Sequence, residues 1–222
     1  TAEDTITTET YTITLNRAAA SSGGGSSKPT APPPVNVTTE TTNGKTTNKT
    51  TTDTEEINGT AEADITTPMV NALLQKANET SGTDKGDLFE IDMNIDKDID
   101  KLDVTISQSN LARIASQTDA GLALTSSFAS ITFDGRALET IAGANSGGDV
   151  LISASLVDKN TLSEKDKVIV KDRPVYDFSV FNSGTQVSDF SGGKATVSVP
   201  YTLQPGEDPE SVVIYHLANN GS

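Results

Sequence analysis

Apolar residues along the chain are spaced in turn as in a strand and as in a helix, and this pattern predicts short strands joined by short helices. Residues 63–77, 104–118 and 131–145 align with one another, since each begins with apolar positions at strand spacing and continues with an amphipathic helical run. Each run carries its apolar residues on one helical face. These residues are Val70, Leu73, Leu74 and Ala77, then Leu111, Ile114 and Ala115, then Leu138, Ile141 and Ala142.

A second strand follows each helical run. The strands are GDLFEIDMNI, GLALTSSF and GDVLISASLV, so residues 61–157 are predicted to repeat a strand-helix-strand unit three times. Helices of about nine residues are unstable alone in water, and we expect them to pack on a sheet. N-cap residues precede the helices; the candidates are Thr66 or Thr67, Ser107 or Ser109, and Asp134.

Threonine-rich segments before the repeat predict slender strands. In residues 35–65, Asn43-Gly44 and Asn58-Gly59 separate runs of threonine. Asn-Gly readily adopts positive φ at both central positions of a type I′ turn, and threonine favours strands. We therefore expect a β-meander here. The alternative is a disordered threonine stalk that carries O-linked sugars.

Alternation without helical runs is typical of residues 168–222. VIVKD, PVYDFSVFNSG, TQVSDF, KATVSVPYTL and SVVIYHL alternate apolar and polar positions between turns such as PGEDPE. The predicted fold of residues 35–222 is therefore α+β. It has a mostly antiparallel β-sheet, three short helices in repeated strand-helix-strand units and an all-β C-terminal part.

The start of the chain has a different composition. TYTITLNR alternates as a strand does, and we expect residues 1–17 to contain the last strand of a preceding β-sandwich module. Residues 18–34 are rich in Gly, Ser and Pro, a composition that makes flexible and semi-rigid tethers. This second segment is the predicted linker.

Composition narrows the classes of function. The chain has 222 residues, and 31 Asp and Glu against 16 Lys and Arg give a formal net charge of −15. Such an excess repels phosphate backbones, so we expect no nucleic-acid partner. Cysteine is absent, which excludes disulfides, zinc–thiolate sites and cysteine nucleophiles. No run of residues approaches the roughly 18 consecutive apolar positions of a membrane span, so we expect no membrane insertion.

The stretch FEIDMNIDKDIDKLD, residues 89–103, carries an acid or Asn at nearly every second position. Its first half fits the start of an EF-hand loop, but Lys97 replaces the glycine that the sharp turn requires. A strand, a turn and a second strand explain the stretch better, because apolar residues alternate with the acids. The candidate metal site that remains is a weak surface calcium site at the turn, formed by Asp96, Asp98 and Asp100.

No catalytic or cofactor-binding residue is predicted. His216 is the only histidine, and a serine nucleophile would lack the elbow motif that identifies one. Tryptophan is absent and aromatic residues make up 5% of the chain, which argues against a sugar-stacking cleft. A polysaccharide-binding face would require exposed tyrosines in one group, drawn from Tyr11, Tyr176, Tyr201 and Tyr215.

Residues 172–222 carry a family resemblance, above all in VSVPYTLQPGEDPESVVIY. Together with TTETTNGKTTNKTT, this block resembles a module of large S-layer-homology cell-surface proteins of Clostridia and Paenibacilli. The N-terminal strand resembles the closing strand of cadherin-like or Ig-like β-sandwich modules. The resemblance implies an extracellular location, at the cell surface or S-layer. The chain contains no S-layer-homology repeat, and the family pattern continues past NNGS, so a domain that ended there would expose an open sheet edge.

Three hypotheses follow for function. The first is a non-catalytic structural or interaction module, a spacer or adhesion domain near the wall anchor that contacts other domains of the same protein. The second is a polysaccharide-binding module of a surface-anchored, polymer-degrading enzyme, with cell-wall or plant polysaccharide as its partner. The third is a self-cleaving or strand-complemented β-domain ending near residue 220, with a neighbouring surface-protein strand at its open edge.

Overall fold

The computed structural model describes residues 34–79, 87–95, 98–203, 205–208, 210, 212–214 and 216–217, which form twelve strands and four α-helices. The strands are β1 (Thr38–Thr42), β2 (Lys45–Asp53), β3 (Glu55–Ile57), β4 (Thr60–Ile65), β5 (Leu88–Asn94), β6 (Lys101–Ser107), β7 (Gly121–Thr125), β8 (Ser130–Phe133), β9 (Asp149–Leu156), β10 (Tyr176–Asn182), β11 (Thr185–Gln186) and β12 (Ala195–Ser198). The helices are α1 (Thr67–Glu79), α2 (Gln108–Gln117), α3 (Gly135–Gly143) and α4 (Glu164–Val170). The predicted strand in residues 1–17 and, except for Pro34, the predicted linker at 18–34 lie outside the described residues.

The strands form two six-stranded sheets of mixed direction. Sheet A has the order β1-β2-β5-β7-β8-β12, and sheet B has the order β11-β10-β9-β6-β4-β3. Seven of the ten pairings among the described strands are antiparallel, whereas β2 with β5, β5 with β7 and β4 with β6 are parallel. The protein is therefore a mixed, β-rich fold in which antiparallel pairing predominates, in agreement with the coarse prediction.

Both Asn-Gly pairs form the predicted hairpins. Asn43 and Gly44 have φ of 52° and 76°, and Asn58 and Gly59 have φ of 51° and 79°. These are the left-handed values that a type I′ turn requires. The first turn joins β1 to β2 in sheet A, and the second joins β3 to β4 in sheet B. The strands of residues 35–65 are thus two hairpins in different sheets rather than one meander.

Three segments of strand, helix and strand cross between the sheets. β4-α1-β5 and β6-α2-β7 run from sheet B to sheet A, and β8-α3-β9 runs from sheet A to sheet B. The pairing directions put all these connections at one end of the sheets: β4, β6 and β8 end there, and β5, β7 and β9 begin there. We call this the helical end and the opposite one the loop end. At the helical end, α2 contacts both α1 and α3.

One hydrophobic core lies between the sheets and under α1, α2 and α3. Phe89 and Phe133 of sheet A are fully buried in it, and Val104 and Ile152 of sheet B are buried in the same core. The apolar helical faces predicted from the sequence are buried there, with Ala115 half-buried. A cavity of about 10 Å³ between the sheets is no larger than one water needs. The sheets therefore pack closely.

The C-terminal part departs from the all-β prediction, most clearly at residues 168–170 and 212–214. Residues 168–170, predicted as strand, form the end of α4, which makes four helices rather than three in the described chain. Ser163 caps this helix, since its Oγ accepts the Asp166 N–H at 3.2 Å, and the cap overrides the strand preference of the Val-Ile-Val run. Residues 212–214, also predicted as strand, are exposed and belong to no strand.

Candidate functional site

The first half of the acidic stretch at residues 89–103 lies on β5, which has one buried and one solvated face. Strand β5 buries Phe89, Ile91 and Met93 in the core. Glu90 and Asp92 alternate with them and lie on the outer face of sheet A. The period-two alternation predicted from the sequence is confirmed.

Lys49 on β2 supplies the counter-ion for this acidic face. Its Nζ lies 2.9 Å from Glu90 Oε1 and 3.2 Å from Asp92 Oδ2. The parallel register puts Lys49 directly beside Glu90. The hydrogen bond to Glu90 is the main cause that raises the pKa of Lys49; burial opposes this rise, and Asp92 raises the pKa further. The one positive charge of Lys49 thus offsets part of the charge of the two carboxylates within the sheet.

The described residues of the predicted calcium site lie at the loop end. Asp98 and Asp100 are exposed, and Asp96 lies outside the described residues. The Asp100 N–H donates to the Gly59 carbonyl at 2.8 Å, and its own carbonyl accepts from Leu156 N–H at 2.8 Å. In the described part of the chain, no group of three or more His, Asp or Glu side chains is placed to hold a metal. Because the site depends on Asp96, it stays a prediction.

Asp103, at the end of the same stretch, belongs to sheet B. Its side chain on β6 is almost fully buried. Oδ1 accepts the Ser153 hydroxyl at 2.6 Å, and Oδ2 lies 2.7 Å from Lys101 Nζ. Because Ser153 is on β9, this carboxylate joins two strands.

Two of the four tyrosines fall in the described residues, and they lie in different surroundings. Tyr176 is half-buried in an aromatic group, 5.7 Å from the Phe128 ring and 6.3 Å from the Phe178 ring. Tyr201 lines a groove that does not include Tyr176. His216 is exposed. The flat face of grouped tyrosines that the polysaccharide hypothesis requires is therefore not formed by these two residues.

The groove that contains Tyr201 is the candidate functional site. It has a volume of about 510 Å³ and is open to solvent. Its lining residues are Lys171, Asp172, Arg173, Pro174, Pro200, Tyr201, Thr202 and Glu207. The first four connect α4 to β10, and the others follow β12. Since β10 begins and β12 ends at the loop end, the groove lies opposite the helices. We call it the Arg173–Tyr201 groove.

Three of its side chains hold one another in place. Arg173 Nη2 donates to Glu207 Oε1 at 2.7 Å, and the Tyr201 hydroxyl donates to Glu207 Oε2 at 2.6 Å. The bond to Glu207 is the main cause that raises the pKa of Arg173, and it also raises the pKa of Tyr201. The shared carboxylate thus positions a guanidinium beside a phenol ring.

This groove has no signature in the sequence. Arg173 and Glu207 are 34 positions apart, and no spacing rule links an arginine to a glutamate over that distance. The usable signals were local: Arg173-Pro174 and Pro200-Tyr201 each set a polar side chain beside a proline, which restricts the backbone. Arg173 and Tyr201 come close together only because of where the fold places β10 and β12, which belong to separate sheets.

Comparisons with known proteins returned no relatives. No family model, no curated protein and no solved structure matches the chain. The resemblance of residues 172–222 to S-layer-homology surface proteins is therefore still a prediction. Within the described residues, no helix is both long and apolar enough to cross a membrane.

Proposed function

We propose that this chain is a non-catalytic structural and interaction module of a bacterial S-layer-associated cell-surface protein, serving as a spacer or adhesion domain near the cell-wall anchor. The observation that carries the proposal is the use of polar side chains to join strands. Lys49 joins β2 to β5 through Glu90, and Asp103 joins β6 to β9 through Ser153. These charges stabilise the sheets, which is the role expected in a spacer.

The outer face of sheet A is suited to permanent exposure outside the cell. Hydroxyl groups recur across it in register with the Lys49 ion pairs. They belong to Thr47, Thr51, Thr125, Thr132 and Thr196. A face of short hydroxyl side chains and ion-paired charges stays hydrated and disfavours non-specific apolar association.

The surface location can be tested on intact cells of the source organism. Antibodies raised against the chain should label unpermeabilised cells. A cytoplasmic protein is labelled on the same cells as a control, because a strong signal from it would show that the cells are leaky. Labelling that appears only after permeabilisation would contradict the proposal.

The finer fold proposal is that the three strand-helix-strand segments are copies of one unit. α2 and α3 support it, because a side-chain N-cap lies where each strand ends: Ser107 is the last residue of β6, and Asp134 directly follows β8. The third copy crosses the sheets in the opposite direction from the first two. On this proposal, a single short unit built most of the core between residues 61 and 157.

A polysaccharide-binding module is the second candidate, and the Arg173–Tyr201 groove is the observation that favours it. The third, a self-cleaving or strand-complemented domain ending near residue 220, concerns residues outside the described ranges. Intact-mass measurement of the full-length parent protein tests it. A product that ends near residue 220 supports cleavage, and an uncut protein excludes it.

A further inference from the structure

The Arg173–Tyr201 groove combines the groups that recognise a sugar. Tyr201 offers an aromatic ring, Arg173 offers planar N–H donors, and the Glu207 carboxylate offers acceptors. Each sugar hydroxyl both donates and accepts, so a site for it needs both kinds of partner. A volume of about 510 Å³ lies within the usual range of small-ligand sites.

The charges in the groove favour a neutral ligand. Lys171 and Arg173 are positive, while Asp172 and Glu207 are negative, so the formal charges of the lining cancel. Arg173 is already paired with Glu207 at 2.7 Å, which reduces its attraction for an added anion. The net charge of −15 further disfavours polyanions.

The groove is also held in shape before any ligand arrives. Glu207 fixes both Arg173 and Tyr201 by hydrogen bonds, and Pro174 and Pro200 restrict the backbone on each side. Side chains that are positioned in advance lose little freedom on binding, which improves the affinity of a small site.

We propose that the Arg173–Tyr201 groove binds a neutral saccharide unit of an extracellular polymer. The sugar ring stacks on Tyr201, and its hydroxyls bond to Arg173, Glu207 and Thr202. This inference rests on the chain being an interaction module and names its ligand class. The spacer role does not depend on it, because the strand-joining contacts of Lys49 and Asp103 lie outside the groove lining.

The test is a titration of the full chain with cellobiose and, separately, with N,N′-diacetylchitobiose, followed by saturation-transfer NMR and calorimetry. We expect millimolar binding of at least one of them. Tyr201→Ala should weaken it by about tenfold or more, since truncating a central aromatic side chain commonly removes a large part of the binding energy. Tyr201→Phe keeps the ring and should retain most of the affinity.

Thr42→Ala is the matched control, since Thr42 is exposed on β1, at the opposite edge of sheet A from β12. It should bind as the unchanged protein does. Circular dichroism shows whether each variant folds. If Tyr201→Ala does not fold, disaccharide binding by the unchanged chain alone decides whether the groove binds a sugar.

Three results would overturn the inference. The first is the absence of a signal from both disaccharides with the unchanged chain. The second is affinity that Tyr201→Ala leaves unaltered. The third is displacement of the sugar by inorganic phosphate at equal concentration, which would show an anion site. Each leaves surface labelling of cells unaffected, so failure of the saccharide site is distinguishable from failure of the proposed function.

Discussion

Asp134 stabilises α3 as a charged N-cap. Its Oδ1 accepts the Ala137 N–H at 2.8 Å. This bond is the main cause that lowers the pKa of the carboxyl, and a Lys194 backbone bond and the charges of Lys194 and Arg136 act in the same direction. A carboxylate at the positive end of a helix is also favoured by the helix dipole.

Asp134→Ala should lower the free energy of unfolding by about 1 kcal/mol, the usual cost of losing an N-cap. Asp134→Asn keeps the cap and is the control. Because the folded pKa is lowered, the contribution of the charge is present above the unfolded pKa and is lost as pH falls through the folded value. Urea unfolding from neutral to acidic pH measures this. Equal stability of Asp134→Ala and the unchanged chain would contradict the assignment.

Asn48 is a buried polar side chain in the sheet, and only part of its hydrogen-bonding capacity is used. It is 0% exposed on the inner face of β2. Its Oδ1 accepts the Thr39 hydroxyl at 2.7 Å, while its Nδ2 has no hydrogen-bond partner among the described residues. An unpaired buried donor destabilises a fold.

Asn48→Val should raise the free energy of unfolding by about 1 kcal/mol, because it removes the unpaired donor and suits a strand. Thr39 is half-buried, so water can take over its hydroxyl. Thr39→Val, which leaves Asn48 with two unpaired groups, should destabilise the chain. A loss of stability in Asn48→Val, measured by thermal unfolding, would show that Asn48 is needed in the sheet.

The pair of strands β2 and β5 shows how an ion pair works in a sheet. Lys49→Met should reduce stability by less than about 1 kcal/mol, since the pair is partly exposed and salt screens it. The raised pKa of Lys49 means that its contribution is present below the unfolded pKa and is lost as pH rises through the folded value. A double-mutant cycle with Glu90→Gln measures the coupling, and strictly additive effects would contradict the pairing.

The segment between β5 and β6 carries the predicted calcium site. The neighbouring acids outside the site already have partners, Lys49 for Glu90 and Asp92, and Lys101 for Asp103. A melting temperature that is the same in millimolar calcium and in EDTA would therefore exclude the site. A calcium-dependent rise that Asp98→Asn abolishes would establish the predicted site instead.

Elements with a local chemical cause were predictable from the sequence. The two Asn-Gly turns, the caps at Ser107 and Asp134 and the apolar helical faces all follow from a few adjacent residues. α4 was missed because its Val-Ile-Val run favours a strand, although Ser163 was a visible cap. The cap decided this local competition, since Val168 and Ile169 of α4 stay exposed rather than pack on the core.

At the scale of the whole molecule, the sequence predicted the mixed, β-rich class but not the arrangement of two sheets. Alternation predicts strands without naming their partners, so the parallel pairs β2–β5 and β4–β6 could not be foreseen. The Arg173–Tyr201 groove depends on the same long-range arrangement. Both features join residues far apart in the chain.

The central claim is that the polar groups of this protein serve structure and interaction rather than catalysis. The most direct measurement mixes the full chain with insoluble Gram-positive wall polysaccharide and follows the release of reducing ends. The claim predicts that release stays at the level of a protein-free control at every chain concentration. Release that rises in proportion to the amount of chain would contradict it.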